Sequence, residues 1–280
     1  MAIKFIVDSA SDITTSEARE LGIICVPLTV LFGEEEFYDS VNLTHKQFYE
    51  KLVESNVMPV TSQVTPSRFA EAFEEATKEG DTAVVITLSS KLSGTYQSAV
   101  IAAKEYEGKV FVVDSNNVAV GARVLVKRAL ELRDKGLSAE EIVEKLNEEK
   151  DNIRLFALLD TLEYLKKGGR ISATVAFAGG LLSIKPIVAV QDGKVELVGK
   201  ARGAKNGSKL LNQMIADIGG IDYDMPYALA YSGLTDDAAK SYVSENTELW
   251  KSVEVSTVGC VIGTHAGPGA IITAFFVNNK

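Results

Sequence analysis

The sequence predicts an α/β protein of two domains: an N-terminal Rossmann-like domain on a parallel sheet and a C-terminal α+β domain with a mixed sheet. Short apolar runs rich in Val and Ile alternate with helical patterns through the first half, as in a parallel sheet covered by helices. Asp192-Gly193 lies between alternating apolar runs, which indicates an antiparallel hairpin. The length of 280 residues suffices for two packed domains.

In the N-terminal half, strands and helices follow one another in regular order. Helix starts carry capping boxes or a first-turn proline, and helix ends carry glycine. These markers are Thr44 with Gln47, Thr65 before Pro66, Ser138 with Glu141, Gly80 and Gly136. The predicted strands cover 3–9, 22–32, 83–89 and 109–115, and the predicted helices cover 16–21, 45–54, 66–78, a segment from 94, a long helix before 136 and 139–150.

The pattern changes after the helix at 139–150. A strand, a short helix ending at paired glycines and the hairpin come first, and two helices alternate with three strands thereafter. These elements are predicted at 154–160, 162–172, 183–203, 204–218, 227–233, 236–247, 253–259 and 270–277. We therefore predict domains at 1–152 and 153–280 with a cleft between them. No Pro/Ser/Gly-rich linker marks the boundary, so the two domains should share a substantial interface.

Composition excludes several classes of protein. The net charge of −9 argues against nucleic-acid binding, which needs a basic face. The longest apolar runs, 83–88 and 120–126, fall far short of the ~20 residues that span a bilayer. The N-terminus lacks the regions of a signal peptide, and Cys25 and Cys260 fit buried, reduced thiols. We expect a cytoplasmic protein.

The segment LSSKLSGTYQSA, residues 88–99, follows a predicted buried strand and opens a helix. In an open α/β sheet, ligands bind at this junction. Ser93, Gly94 and Thr95 would present hydroxyls, backbone N–H groups and the positive end of a helix dipole to an anion. Alternatively, Ser93 simply caps the helix. Neither a dinucleotide fingerprint nor a P-loop is present.

Two further segments carry polar groups whose function the residues alone leave open. Thr61, Ser62 and Gln63 precede a capped helix and fit an ordinary polar loop. His265, in GTHAGPGA at 263–270, could be a base, a metal ligand, a hydrogen-bond donor or a structural residue. No Cys, His or Asp stands at metal-ligand spacing from it, and His45 falls on the polar side of a helix start. We therefore predict no metal site.

Basic residues cluster in two segments of this acidic chain. A solvated surface explains such clusters by default, and the alternative is a docking face for an acidic partner or for phosphate. The clusters comprise Lys166, Lys167 and Arg170 in KKGGR, and Lys194, Lys200, Arg202, Lys205 and Lys209 further along.

Two other classes of function remain as alternatives. A serine hydrolase could use Ser93 and His265, although the GxSxG elbow is missing and no acid is placed to orient the imidazole. A nucleotide-binding α/β domain is the weaker alternative.

The motifs VDSASDI, VTSQVTP, LSGTYQSA, LEYLKKGGRIS, KARG and GTHAGPGA, in this order, resemble those of the DegV family of bacterial fatty-acid-binding proteins. The resemblance covers essentially the whole chain and implies two α/β-type domains that hold one long-chain fatty acid in a tunnel. It also implies the role of acyl-carrying subunit of a bacterial fatty acid kinase. There, a separate kinase subunit with ATP and Mg²⁺ phosphorylates the bound carboxylate to an acyl phosphate for phospholipid synthesis.

By the same resemblance, the chain itself would be no enzyme and would need no cofactor or metal, and any contact with a membrane surface would be transient. Domain 1–152 would carry the carboxylate-binding loops, and domain 153–280 would contribute His265 and the lipid tunnel. The implied carboxylate-binding residues are Thr61, Ser62, Ser93, Gly94 and His265, and Arg170 and Arg202 are candidates for the face that meets the kinase.

Overall fold

The computed structural model describes residues 2–55, 57–172 and 183–278. Within these ranges the chain forms thirteen strands and ten α-helices. The strands are β1 (Ile3–Asp8), β2 (Ile23–Val26), β3 (Thr29–Phe32), β4 (Glu35–Tyr38), β5 (Val60–Ser62), β6 (Thr82–Thr87), β7 (Val110–Asp114), β8 (Ile153–Leu158), β9 (Ile184–Gln191), β10 (Lys194–Arg202), β11 (Tyr227–Tyr231), β12 (Val255–Thr257) and β13 (Ile271–Phe276). The helices are α1 (Thr15–Leu21), α2 (His45–Glu54), α3 (Pro66–Thr77), α4 (Thr95–Ala103), α5 (Val120–Asp134), α6 (Ala139–Glu149), α7 (Glu163–Lys167), α8 (Ala204–Asp217), α9 (Asp237–Glu245) and α10 (Cys260–Ala266).

A four-stranded parallel sheet, in the order β2-β1-β6-β7, forms the centre of the N-terminal part. Successive residues of its inner strands, such as Phe5 with Ile6 and Val84 with Val85, are fully buried. Such burial of consecutive side chains means that both faces are covered, and α3, α4, α5 and α6 all contact the sheet. The predicted class of the first half is therefore confirmed.

A mixed six-stranded sheet, in the order β10-β9-β8-β13-β11-β12, forms the C-terminal part. Only β11 and β12 pair in parallel among these strands. The hairpin of β9 and β10 turns at Asp192 and Gly193, whose φ values are 48° and 76°. Two positive φ angles are what a tight two-residue hairpin turn requires, so this prediction is also confirmed.

The two large sheets share a core through α5. This helix contacts β6 of the parallel sheet as well as β8, β11 and β13 of the mixed sheet. Its side chains Val124, Leu125 and Val126 are fully buried. A shared core accords with the missing linker, while the boundary between 152 and 153 stays a prediction.

A small antiparallel sheet, in the order β4-β3-β5, differs from the prediction. The run 22–32, predicted as one strand, forms β2 and β3 in different sheets. Pro27 lies at the break, where its ring nitrogen cannot donate to a ladder, and the N–H of Leu28 donates to Ser9 Oγ at 3.1 Å. Strands β4 and β5 were not predicted, because one is polar and the other has three residues.

Helix α10 was not predicted either, since glycine disfavours helix interiors by roughly 0.5–1 kcal/mol. Tertiary packing outweighs that cost at Gly263. A Cβ atom there would lie 2.6 Å from both Phe48 Cε1 and Tyr49 Oη. Without a side chain at this position, α10 packs closely against α2, and this contact positions the helix that carries His265.

None of the helices in the described ranges combines the length and the apolar character needed to cross a membrane.

Candidate functional site

A cavity lies between the mixed sheet, the start of α5 and helix α10. Its volume is about 790 Å³ when counted out to its open mouth. Aliphatic side chains make up most of its wall, among them Leu28, Leu88, Leu92, Val118, Ala119, Leu155, Ala157, Leu159, Leu165, Val188, Val190, Val195, Val261, Ile262, Ala266 and Ile272. The polar residues of the wall are Thr61, Ser62, Gln63, Ser93, Arg170 and His265.

The polar residues adjoin one another because β5 runs past the start of α4. Gln63 Nε2 donates to Ser98 Oγ at 2.9 Å. The N–H of Val64 donates to Thr95 Oγ1 at 3.3 Å, and that oxygen lies 3.0 Å from Ser93 Oγ. The segment that sequence analysis could also interpret as an ordinary polar loop is thus fastened to the helix start.

Gly94, the residue before α4, allows this close approach. A Cβ atom at this position would lie 2.1 Å from Gln63 Oε1. Gly94 does not itself line the cavity, whereas its neighbour Ser93 does. Ser93 Oγ accepts from the N–H of Thr95 at 3.3 Å, but the N-cap of α4 is Gly94 and no side chain caps this helix. The alternative that Ser93 is simply a helix cap is therefore wrong.

His265 lies in the last turn of α10 and contacts Thr61. Its Nε2 is 2.9 Å from Thr61 Oγ1, while its Nδ1 is buried and has no hydrogen-bond partner among the residues that the structure describes. Gly168 covers that nitrogen, since a Cβ atom there would lie 2.2 Å from Nδ1. A buried N–H without an acceptor is costly, so the proton of the neutral ring belongs on Nε2. His265 then donates to Thr61, and the Thr61 hydroxyl hydrogen stays available to a ligand.

The electrostatics of the site keep this imidazole neutral. Burial, with a smaller contribution from the nearby charge of Arg170, lowers the pKa of His265 to about 4. A neutral ring is a hydrogen-bond donor at one nitrogen only. His265 therefore positions Thr61 and contributes no charge at neutral pH.

Arg170 and Arg202 occupy different places. Arg170 Nη1 donates to the carbonyl of Gly168 at 2.6 Å and its Nε to that of Leu92 at 3.3 Å, and its side chain lines the cavity. Arg202, the last residue of β10, is exposed and does not line the cavity. The two arginines predicted to share one face thus lie apart, since Arg170 lines the cavity wall and Arg202 lies on the outer surface.

A serine hydrolase is not supported. Within residues 2–55, 57–172 and 183–278, the ring of His265 bonds to Thr61 and not to Ser93, and no carboxylate is hydrogen-bonded to it. Acyl transfer by serine needs the base on the nucleophile and an acid on the base. The arrangement lacks both contacts.

Sequence reasoning missed Gln63 and the role of the KKGGR glycine. Gln63 was noted only as part of a polar run, although its position directly after Thr61 and Ser62 on β5 could have identified it. Gly168 carries no sequence signal for packing on His265, 97 positions further along. Gly267 likewise lies against Tyr164, so these glycines accommodate protein side chains.

An aliphatic cavity whose polar groups gather at one place is typical of proteins that bind an amphipathic small molecule. A sequence model of the DegV family matches residues 2–278, and the chain belongs to that family. It is 36% identical over 275 residues to a DegV domain-containing protein of Caldanaerobacter subterraneus subsp. tengcongensis, which covers 96% of each chain.

Solved structures of DegV family proteins superpose on nearly the whole chain. A DegV family protein from Thermus thermophilus, described for its fatty acid binding, superposes with a TM-score of 0.88 at 34% identity and covers 99% of this chain and 100% of that one. DegV from Bacillus subtilis, a fatty acid binding protein, gives a TM-score of 0.83 at 32% identity and covers 99% of each chain.

Proposed function

We propose that this chain binds one long-chain fatty acid, with the acyl tail in the cavity and the carboxylate at its polar residues. The observation that carries the proposal is the aliphatic wall that ends at the hydroxyls of Thr61 and Ser93. The fatty acid binding of the Thermus thermophilus and Bacillus subtilis proteins supports it.

The head group needs donors, because a desolvated carboxylate without hydrogen bonds is strongly disfavoured. Thr61, Ser62 and Ser93 offer hydroxyls, and Gly94 lies beside them at the start of α4. His265 acts through Thr61, as the 2.9 Å contact favours. The Arg170 guanidinium adds positive charge at the same wall.

The tail supplies most of the affinity. At ~0.8 kcal/mol per buried methylene, about 14 methylenes give roughly 11 kcal/mol before the costs of association. The head group then fixes the orientation of the ligand.

We further propose that the bound carboxylate is presented to a separate fatty acid kinase subunit. That subunit supplies ATP and Mg²⁺ and forms an acyl phosphate for phospholipid synthesis, while this chain performs no chemistry and holds no cofactor. In this scheme the protein works in the cytoplasm, touches membrane surfaces only to exchange lipid, and uses Arg170 and Arg202 toward the kinase. Residues 1–152 supply the carboxylate loops, and residues 153–280 supply His265 and the tunnel.

Lipid analysis tests the binding proposal. Protein purified from cells should release about one fatty acid per chain on extraction, and native mass spectrometry should show the matching mass increase. Delipidated protein should rebind palmitate or oleate. A chain that carries no lipid and rebinds neither acid would contradict the proposal.

A further inference from the structure

A second cluster of polar side chains surrounds the start of α10, outside the cavity wall. Asp39, His45 and Cys260 each place one potential ligand atom within 4.8 Å of the others. His45 Nε2 lies 3.9 Å from Asp39 Oδ1. A carboxylate, an imidazole and a thiol from three separate segments therefore meet at one point.

Asp12 places a further buried carboxyl group beside this cluster. Its Oδ1 accepts from the N–H of Gly259 at 2.8 Å, and its Oδ2 is buried without a partner among the described residues. A Cβ atom on Gly259 would lie 3.1 Å from Asp12 Oδ1, 3.3 Å from Asp39 Oδ2 and 3.4 Å from His45 Nε2. Asp12, Asp39 and His45 therefore all approach Gly259, the residue before Cys260.

Among the described residues, the cationic partner of this cluster is His45, which pairs with Asp39 only when its ring is protonated. Asp12 and Asp39 are 2% and 1% exposed, and buried carboxylates require a paired charge or protonation. Arg123 is nearest, yet its Nη1 donates to the backbone carbonyl of Asp12 at 3.0 Å and its guanidinium pairs with Glu17. Among the residues described, the two carboxyl groups are thus left for a bound cation or for protons.

We propose that Asp39, His45 and Cys260, with the carboxyl group of Asp12 beside them, form a binding site for Zn²⁺. A set of nitrogen, sulfur and oxygen ligands suits zinc, which binds each at about 2.0–2.3 Å in tetrahedral geometry. Ligand nitrogen and oxygen atoms then stand about 3.4 Å apart, so the 3.9 Å between His45 Nε2 and Asp39 Oδ1 must shorten by about 0.5 Å, and the Cys260 thiol, within 4.8 Å of both, must also move closer.

The surroundings orient these ligands. Asp39 accepts from the N–H groups of Cys260 at 3.1 Å and Val261 at 3.4 Å, and such hydrogen bonds hold a carboxylate ligand in place for a metal. Ser40 Oγ lies 2.8 Å from His45 Nε2, so a bound ion would replace this hydrogen bond. The side chain of His45 is 12% exposed, which gives the ion a path from solvent. A bound ion would join α2 and its preceding loop to α10.

Cobalt and zinc binding test the site, with the other cysteine as the matched control. Cys25 is also a free thiol but lies outside the cluster. Wild type and Cys25→Ala should bind one Zn²⁺ per chain after exhaustive dialysis and should show thiolate-to-cobalt absorption with Co²⁺. Cys260→Ala should lose that absorption and at least about tenfold in zinc affinity. His45→Gln should weaken binding comparably, and its circular dichroism would establish that it folds.

Two results would contradict the proposed zinc site. Wild-type protein that binds no zinc and shows no thiolate-to-cobalt absorption would mean that the buried carboxyl groups are protonated instead. Absorption that is lost in Cys25→Ala and kept in Cys260→Ala would mean that the wrong thiol was assigned. Fatty acid binding enters neither measurement, so failure of the metal site and failure of the proposed function are distinguishable.

Discussion

The two ends of α10 carry histidine environments that differ in charge. At the start, His45 lies beside the buried carboxylate of Asp39. At the end, His265 contacts the Thr61 hydroxyl and lies near Arg170. Burial lowers the pKa of both imidazoles, so both are neutral at pH 7. The neighbours therefore decide the ligand: carboxylates favour a cation at one end, and hydroxyls with a guanidinium favour an anion at the other.

The largest expected effect on ligand affinity comes from removing the hydroxyl donors near His265, at the end of α10 that favours an anion. Thr61→Val combined with Ser93→Ala should weaken fatty acid binding by at least about 100-fold, because hydrogen bonds to charged groups contribute about 1.5–3 kcal/mol each. Displacement of a fluorescent fatty acid measures the change. Zinc binding by the same variant should be unaltered.

Ser90→Ala is the matched control for this double variant. Ser90 is exposed on the same loop and does not line the cavity, so its affinity should equal that of wild type. Equal affinities for the double variant and the control would show that the hydroxyls do not hold the carboxylate.

Gly168→Ala should have the next largest effect. Gly168 has φ of −74°, which alanine adopts freely, so the substitution acts through the clash with His265 Nδ1 alone. Displacing the ring removes the donor that orients Thr61 and should weaken fatty acid binding about tenfold. Nitrogen NMR of His265 should show an Nε2–H tautomer in wild type and a changed signal in the variant.

Lys167→Ala, on the exposed side of the same helix, controls for disturbance of α7. Wild-type affinity for Gly168→Ala would mean that the imidazole does not depend on this packing.

The sequence predicts features of these two ends of α10 when the interacting residues are close together in the chain, and fails when they are far apart. Capping boxes at Thr44 and Ser138 were predicted and form, because both partners lie within one turn. The motifs also indicated Thr61, Ser93 and His265, which the fold brings to one cavity wall. Their roles there stay predictions.

The rest depended on contacts between distant segments. His45 was assigned to the polar side of a helix, yet it lies beside buried Asp39 and Cys260. No spacing rule connects positions 39, 45 and 260, since Cys260 approaches the other two through the close packing of α10 on α2 at Gly263. The prediction of no metal site rested on short spacings, and those do not detect ligands from separate segments.

Charge reversal at Arg202 should have a moderate effect, confined to the partner. Because Arg202 is exposed and outside the cavity, Arg202→Glu should leave fatty acid affinity unchanged and lower turnover by the kinase several-fold. Arg19→Glu, on exposed helix α1, is the control for net charge. Unchanged turnover in Arg202→Glu would remove this residue from the docking face.

The smallest effect concerns the pH dependence of stability, which should differ between two buried groups near the cavity. Burial lowers the pKa of His265 to about 4 from 6.5, so the unfolded chain binds a proton that the folded chain does not, and stability falls as pH drops through this window. Burial raises the pKa of Asp8 from 3.8 to about 7. The folded chain therefore holds a proton on Asp8 more tightly than the unfolded chain does. The resulting contribution to folding stability is complete below pH 3.8 and is lost as pH rises toward 7.

Thermal unfolding of lipid-free protein in a chelator, from pH 4.5 to 8, measures both slopes. Asp8→Asn should flatten the loss of stability between pH 5 and 7, and His265→Gln should flatten the loss below pH 6, each by about 2–4 °C in Tm. Asp134→Asn, an exposed site, should follow wild type throughout. If both variants kept the wild-type slopes, the two groups would titrate alike in the folded and unfolded chains, and burial would not set their charge. If only His265→Gln lost less stability below pH 6 and Asp8→Asn followed wild type, burial would set the charge of His265 but not that of Asp8.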